Sequence, residues 1–147
     1  MTPQLFQANQ ISTIASQLKE DQIKGFLIFA SSKYCPWCGL VLSEQLLPRL
    51  RARDLPPIAI VEFDINNSRS LAISRDNPTD VFRLSANLSP STWATSHKVR
   101  VVPTLTAVDQ RLSPLLPALV GYSSADFYGA YLEEQIEESI RYWATVR

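Results

Sequence analysis

A single α/β domain is the fold class this sequence predicts, and three observations predict it. A continuous apolar run, Phe26-Leu27-Ile28-Phe29-Ala30, stands between Gly25 and a pair of serines, the pattern of a strand buried on both faces. A second run, Ile58-Ala59-Ile60-Val61-Glu62-Phe63-Asp64, follows only after an intervening apolar helix. Two strands joined that way need a crossover connection and lie parallel. The chain then closes on a helix with Tyr128, Leu132, Ile136, Ile140 and Trp143 along one stripe. Its 147 residues fit one domain spanning residues 1–147, long enough for a real hydrophobic core.

Composition narrows the function classes. Apolar residues make up 46% and charged residues 19% of the chain, a globular balance that argues against disorder. Formal net charge is zero and no long run of one sign occurs, so neither a nucleic-acid surface nor a basic membrane helix is indicated. No stretch approaches the ~20 apolar residues that span a bilayer. Met1 to Asn9 lacks a basic segment followed by an apolar one, so no signal peptide is visible. A mature secreted chain starting after its cleavage site would read the same, which leaves the compartment open. A monomer is expected.

The elements follow in order. Ile11, Ile14, Ala15 and Leu18 recur at helical spacing and predict a helix over roughly residues 8 to 22, broken by Gly25. After the first strand comes Cys35-Pro36-Trp37-Cys38, and Leu40, Val41, Leu42, Leu46 and Leu47 define an apolar helix that starts at that motif. Pro36 suits the first helical turn, whereas Pro48 is expected to kink or end the helix. Pro56-Pro57 separates it from the second strand, and residues 66 to 88 are mixed and polar, with a turn signal at Asn77-Pro78. Ser89 before Pro90 reads as a helix cap, opening a short helix through about His97. Val99 to Val102 and Thr104 to Val108 flank Pro103, Asp109-Gln110 makes a turn, and Ala118-Leu119-Val120 supplies a last short strand. Gly121 ends it, and Ser123 with Asp126 forms a capping-box-like start to the closing helix. The predicted order is α-β-α-β-(α)-β-β-α, without internal repeats.

Cys35 and Cys38 are the only cysteines, and they sit where a strand gives way to a helix. A structural disulfide gains little there, because closing so small a ring removes little chain entropy. Zinc usually takes four ligands, and the chain offers two thiols and the single His97. Two buried thiols without a role are the remaining plain alternative. A Cys-X-X-Cys opening a helix after a buried strand points instead to thiol–disulfide exchange. Cys35, at the helix N-terminus, is then the exposed nucleophile with a pKa below the free value of ~8.5. Cys38, one turn further in, resolves the mixed disulfide. Lys33 stands two residues before Cys35 and adds positive potential unless simply solvated, and Trp37 offers partner contact area or packs over the helix start. His97 reads as a helix-end surface residue, and Trp93 and Trp143 as core.

The strand–Cys-Pro-Trp-Cys–helix unit, the Val102-Pro103-Thr104 tripeptide and the closing helix resemble the thioredoxin fold over roughly residues 8 to 145. The resemblance extends to bacterial periplasmic thioredoxin-like proteins of the SoxS and SoxW type, through Pro103-Thr104, Asp109, Gly121-Tyr122 and Asp126-Phe127-Tyr128. It implies a central mixed sheet of four to five strands flanked by helices, and a cis Val102–Pro103 bond beside the cysteines. Val102 becomes the residue that pairs with a bound peptide strand, with Pro36 and Trp37 as further substrate contacts. Protein disulfides or dithiols are the implied substrates, with an upstream redox donor, no cofactor and no metal, and a site of action in the periplasm or otherwise outside the cytoplasm. Two departures stand out. Phe29 occupies the position of a buried aspartate that assists proton transfer in thioredoxins, and Glu62 the position of a lysine, which makes Glu62 the candidate proton-transfer group. The interval from Cys38 to Pro103 is also long, so residues 69–90 read as an insertion near the active-site face. A glutaredoxin-like glutathione enzyme is an alternative, although Gly121-Tyr122 replaces the usual Gly-Gly. A non-catalytic binding module is another, and reductase, oxidase and isomerase directions share these residues.

Overall fold

The computed structural model describes residues 4–20, 24–52, 58–71 and 88–145. Five strands form one mixed sheet in the order β1-β3-β2-β4-β5, with β1 at Gln4–Gln7, β2 at Gly25–Ser31, β3 at Ala59–Asp64, β4 at Thr104–Asp109 and β5 at Leu119–Val120. The strands β1, β3 and β2 run parallel, while β4 is antiparallel to β2 and β5 to β4. Every residue of the central β2 is buried, as its unbroken apolar run requires.

Alternation along the strands divides the core in two. On one face Phe26, Ile28, Val61 and Phe63 pack with Ile11 and Ile14 of α1 (Ile11–Glu20) and with Trp93 of α4 (Pro90–Ser96). On the other, Leu27, Phe29, Ile60 and Leu105 pack with Cys38 of α2 (Pro36–Leu40), Val41 and Leu46 of a following π-helical segment (Val41–Leu46), and Leu132, Ile136 and Trp143 of α5 (Ala125–Thr145). The indole N–H of Trp143 donates to the Val108 carbonyl at 3.1 Å across Gly25, where any Cβ would collide with both. Gly25 thus opens β2 because nothing larger fits.

Several expectations need correction. β1 was not expected, since its Gln-Leu-Phe-Gln sequence is too short to show a period; it gains its place by backbone pairing with β3. A 3₁₀ turn (Ala8–Gln10) precedes α1, which is described as far as Glu20. Pro48 neither ends nor breaks the second helix, which continues as α3 (Leu47–Ala52). The π turn ahead of it makes the Leu47 N–H donate to the Leu42 carbonyl five residues back, a wider turn that accepts a following proline. Of the two stretches that flank Pro103, only the second is a strand: Lys98 at φ 57° turns the chain, and the Val99 N–H returns to the Ala94 carbonyl. The closing helix is capped by Ser124, whose Oγ accepts the Phe127 N–H at 3.4 Å, and not by the Ser123–Asp126 pair. Ser89 and Thr92 form the reciprocal cap of α4. Pro56-Pro57, Asn77-Pro78 and most of the 69–90 segment lie outside the described residues.

Candidate active site

β2 delivers the chain to a turn closed by the Cys35 N–H, which donates to the Ser32 carbonyl at 3.1 Å. Cys35 is extended (φ −98°, ψ 105°) and caps α2, its Sγ accepting the Cys38 N–H at 3.1 Å. Pro36 occupies the first helical turn, where its missing N–H leaves no bond unmade. Cys35 and Cys38 are joined as a disulfide with Cα atoms 5.3 Å apart. Cys35 is half-buried and Cys38 only 4% exposed, so one sulfur faces outward and the other belongs to the core.

Val102 and Pro103 reach this pair from the far end of the chain. Their peptide bond is cis, Pro103 is buried, and the Val102 carbonyl oxygen lies 3.8 Å from Cys35 Sγ. In the disulfide that sulfur carries no proton, so this is a contact; in the dithiol the Cys35 S–H has an acceptor within reach. The Thr104 hydroxyl donates to the Val101 carbonyl at 2.6 Å, and the Gly121 N–H donates to the Pro103 carbonyl at 2.8 Å. Gly121, at φ 78°, then turns Tyr122 back toward the active-site helix.

Aromatic side chains flank one side. Trp37 is 55% exposed, with its ring 6.4 Å from that of Tyr122, which in turn lies 5.2 Å from Tyr128. The Tyr122 hydroxyl donates to Glu44 Oε2 at 2.8 Å. The Gln45 hydrogen bond pulls the Tyr122 phenol down, but the Glu44 hydrogen bond and charge, with desolvation and Asp126, outweigh it and hold it above its ordinary value. Burial pushes Tyr128 up, the Tyr122 phenol adds to this, and Arg49 opposes it.

The other side is a polar cleft of about 770 Å³ bordered by both cysteines, Gln7, Ser31, Glu62 and Arg69. Register explains its chemistry. Gln7, Glu62, Phe29, Leu105 and Leu119 are paired in one row across all five strands. Phe29 and Leu105 are buried in the middle of the row, whereas Glu62 is half-buried and accepts from Gln7 Nε2 at 3.2 Å and from the Ser31 hydroxyl at 3.4 Å. The carboxylate that Phe29 cannot supply therefore stands one strand over. Of the other sequence candidates, Lys33 is exposed, with its ammonium 5.8 Å from the Tyr34 ring centre. His97 ends α4 against Trp93 and does not border the cleft. Among the described residues no group of three His, Cys, Asp or Glu side chains is placed to hold a metal, and no helix is long and apolar enough to cross a membrane.

Neither a protein-family model nor a curated protein matches the chain. Solved structures do. A thioredoxin of Schistosoma mansoni superposes with a TM-score of 0.52 at 16% identity, covering 94% of this chain and 97% of that one. Thioredoxin f from spinach chloroplast gives 0.54 at 15%, covering 92% and 86%, and the C-terminal domain of Neisseria meningitidis DsbD gives 0.51 at 15%, covering 90% and 99%. The chain has the thioredoxin fold. Within it, the structure brings Cys35, Cys38, Val102 and Pro103 together and places Trp37 and Glu62 on opposite sides of them. Sequence reasoning missed Gln7 and Ser31, which hold Glu62, because strand pairing alone brings them to it. It gave Tyr122 no role, although Gly121 immediately before an aromatic was the available signal.

Proposed function

We propose that the chain carries out thiol–disulfide exchange on protein substrates, acting as a reductase of narrow selectivity outside the cytoplasm. One observation carries the exchange reading: Cys35 Sγ is half-buried at a helix start, accepts the Cys38 N–H at 3.1 Å and lies against the Val102 carbonyl. A thiolate at Cys35 is favoured by that N–H and by the helix N-terminus. It attacks one sulfur of a substrate disulfide; an S–S bond forms to Cys35, and the second substrate sulfur leaves as a thiolate that takes a proton from solvent. Cys38 passes its proton to Glu62 through water in the cleft and attacks Cys35 Sγ. The Cys35–Cys38 bond forms, and the first substrate sulfur leaves with the proton returned from Glu62. Two electrons pass from the dithiol to the substrate, and an upstream dithiol donor restores the enzyme by the reverse exchange.

Narrow selectivity is supported at the rim of the cleft, where the Leu71 N–H donates to the Leu88 carbonyl at 2.8 Å and so joins the two ends of the proposed insertion beside Arg69. The extracytoplasmic site rests on the resemblance carried by Pro103-Thr104, Asp109 and Gly121-Tyr122. Insulin reduction tests the activity. The wild type should be active, Cys35→Ser inactive, and Cys38→Ser should accumulate mixed disulfides with one or a few discrete protein partners. Only glutathione adducts, or none, would refute the protein-substrate reading. A reduction potential near that of thioredoxin, about −270 mV, supports the reductase direction, and one near about −120 mV overturns it.

A further inference from the structure

The polar side chains between the active-site helix and α5 are unusually concentrated for an interface in an apolar core. The π turn brings Glu44 and Gln45 toward α5. Gln45 is buried and its Nε2 donates to the Ala125 carbonyl at 3.2 Å, while Arg49 Nη1 donates to the Gln45 side-chain oxygen at 2.8 Å and to its carbonyl at 2.9 Å. Arg49 Nη2 lies 3.5 Å from Glu133, and Gly129 leaves room for it, since a Cβ there would stand 3.2 Å from that nitrogen. Tyr122 adds the last link, from the β5–α5 turn to Glu44.

Tyr122 differs from the other members of this dock. It is half-buried at the edge of the core, and its hydroxyl serves an exposed carboxylate in a bond that adds little to stability. What it does geometrically is stand between Tyr128, which is fixed in the core, and Trp37, which is not. Trp37 lies between the two cysteines, and no hydrogen bond to its indole is seen among the described residues. We infer that Tyr122 is a positioning residue for Trp37, fixing the attitude of that ring beside Cys35 and thereby the affinity for polypeptide disulfides, without touching the sulfur chemistry. The inference rests on the exchange reading above for its kinetic consequence, and on ring geometry alone for the contact.

The test compares Tyr122→Ala and Tyr122→Phe on two substrates. Insulin needs a contact surface, and a small aromatic disulfide such as 5,5′-dithiobis(2-nitrobenzoate) needs only an accessible thiolate. Loss of the ring should raise KM for insulin about fivefold, the scale of one aromatic pair, and leave kcat and the small disulfide unchanged. Tyr122→Phe keeps the ring and should restore most of the affinity. Acrylamide quenching gives an independent reading, because Trp93 and Trp143 are buried at 1% and 6% exposure and the quenchable emission comes from Trp37. Quenching should increase in Tyr122→Ala. Equal losses on both substrates, or unchanged quenching, would overturn the inference. If the wild type reduced neither substrate, the exchange reading would fall, while quenching would still decide whether Tyr122 orders Trp37.

Discussion

The two flanks of the Cys35–Cys38 disulfide are built from opposite materials. On the α5 side lie Trp37, Tyr122 and Tyr128, a row of neighbouring rings whose one polar tie is the Tyr122 hydroxyl on Glu44. On the β1 side lies a cleft with Gln7, Ser31, Glu62 and Arg69, which both cysteines border. The buried sulfur of Cys38 packs with Phe29 and Leu105 and borders the cleft as well. In the exchange reading proposed above, the contrast separates two tasks. Holding a partner calls for rigid apolar area with little entropy to lose. Moving a proton calls for a carboxylate and water within reach of the buried thiol. Because sheet register fixes Phe29 and Glu62 as neighbours, the boundary between the flanks falls between β2 and β3.

The most disruptive way to break the contrast is to place a carboxylate on the apolar side of that boundary. Phe29 is fully buried among Leu27, Cys38, Val41 and Leu105, so Phe29→Asp loses its packing and buries an acid with no partner. The expected loss is about 3 kcal/mol or more in urea unfolding. Near-wild-type stability would mean that water already reaches this position and that the division is not real. A smaller effect is expected on the other side. Glu62→Gln keeps the shape and the neighbours Gln7 and Ser31 but removes the charge proposed to accept a proton. Turnover of insulin should fall about tenfold, and alkylation of reduced Cys35 should proceed at the wild-type rate. A parallel drop in Cys35 alkylation would show Glu62 acting on the wrong sulfur.

Much of this arrangement could be read from the residues, and what could not shares one physical origin. β2, β3, α4 and α5 announce themselves through local pattern: an apolar run, the Ser89-Pro90 cap and a stripe from Tyr128 to Trp143. Their signals are each complete within a single element. β1 exists because β3 has an edge to pair, and the π turn exists because Gln45 and Arg49 find α5, eighty or more positions later in the chain. Val99 to Val102 owe their place to the same kind of context, since the turn at Lys98 carries their β-branched residues away from the sheet. The site divides the same way. The cysteines and Pro103 are local motifs, whereas Glu62 needed a family comparison and its partners Gln7 and Ser31 needed the sheet.

The smallest expected effect lies in the aromatic flank and tests how dry it is. Tyr128 is 3% exposed, and among the described residues its hydroxyl has no hydrogen-bond partner. A buried hydroxyl without a partner loses its bonds to water and gains nothing in return. Tyr128→Phe should therefore stabilise the protein at neutral pH by up to about 1 kcal/mol, which for a chain of this size raises the melting temperature by about 2–4 °C. The pH dependence gives a second handle. Burial raises the Tyr128 phenol above its unfolded value of 10.0, so the neutral form is favoured in the folded state. Its contribution is complete below that unfolded value and is lost progressively as pH rises past it, because only the unfolded chain ionises easily. The wild type should lose stability above about pH 10, and Tyr128→Phe should lose less, in guanidinium titrations run from pH 8 to 11. Insulin reduction should be unaffected, since the ring that supports Tyr122 remains. Destabilisation of Tyr128→Phe by more than about 1 kcal/mol would show the hydroxyl to be bonded, and would join Tyr128 to the polar contacts that Gln45, Arg49 and Tyr122 make beside it.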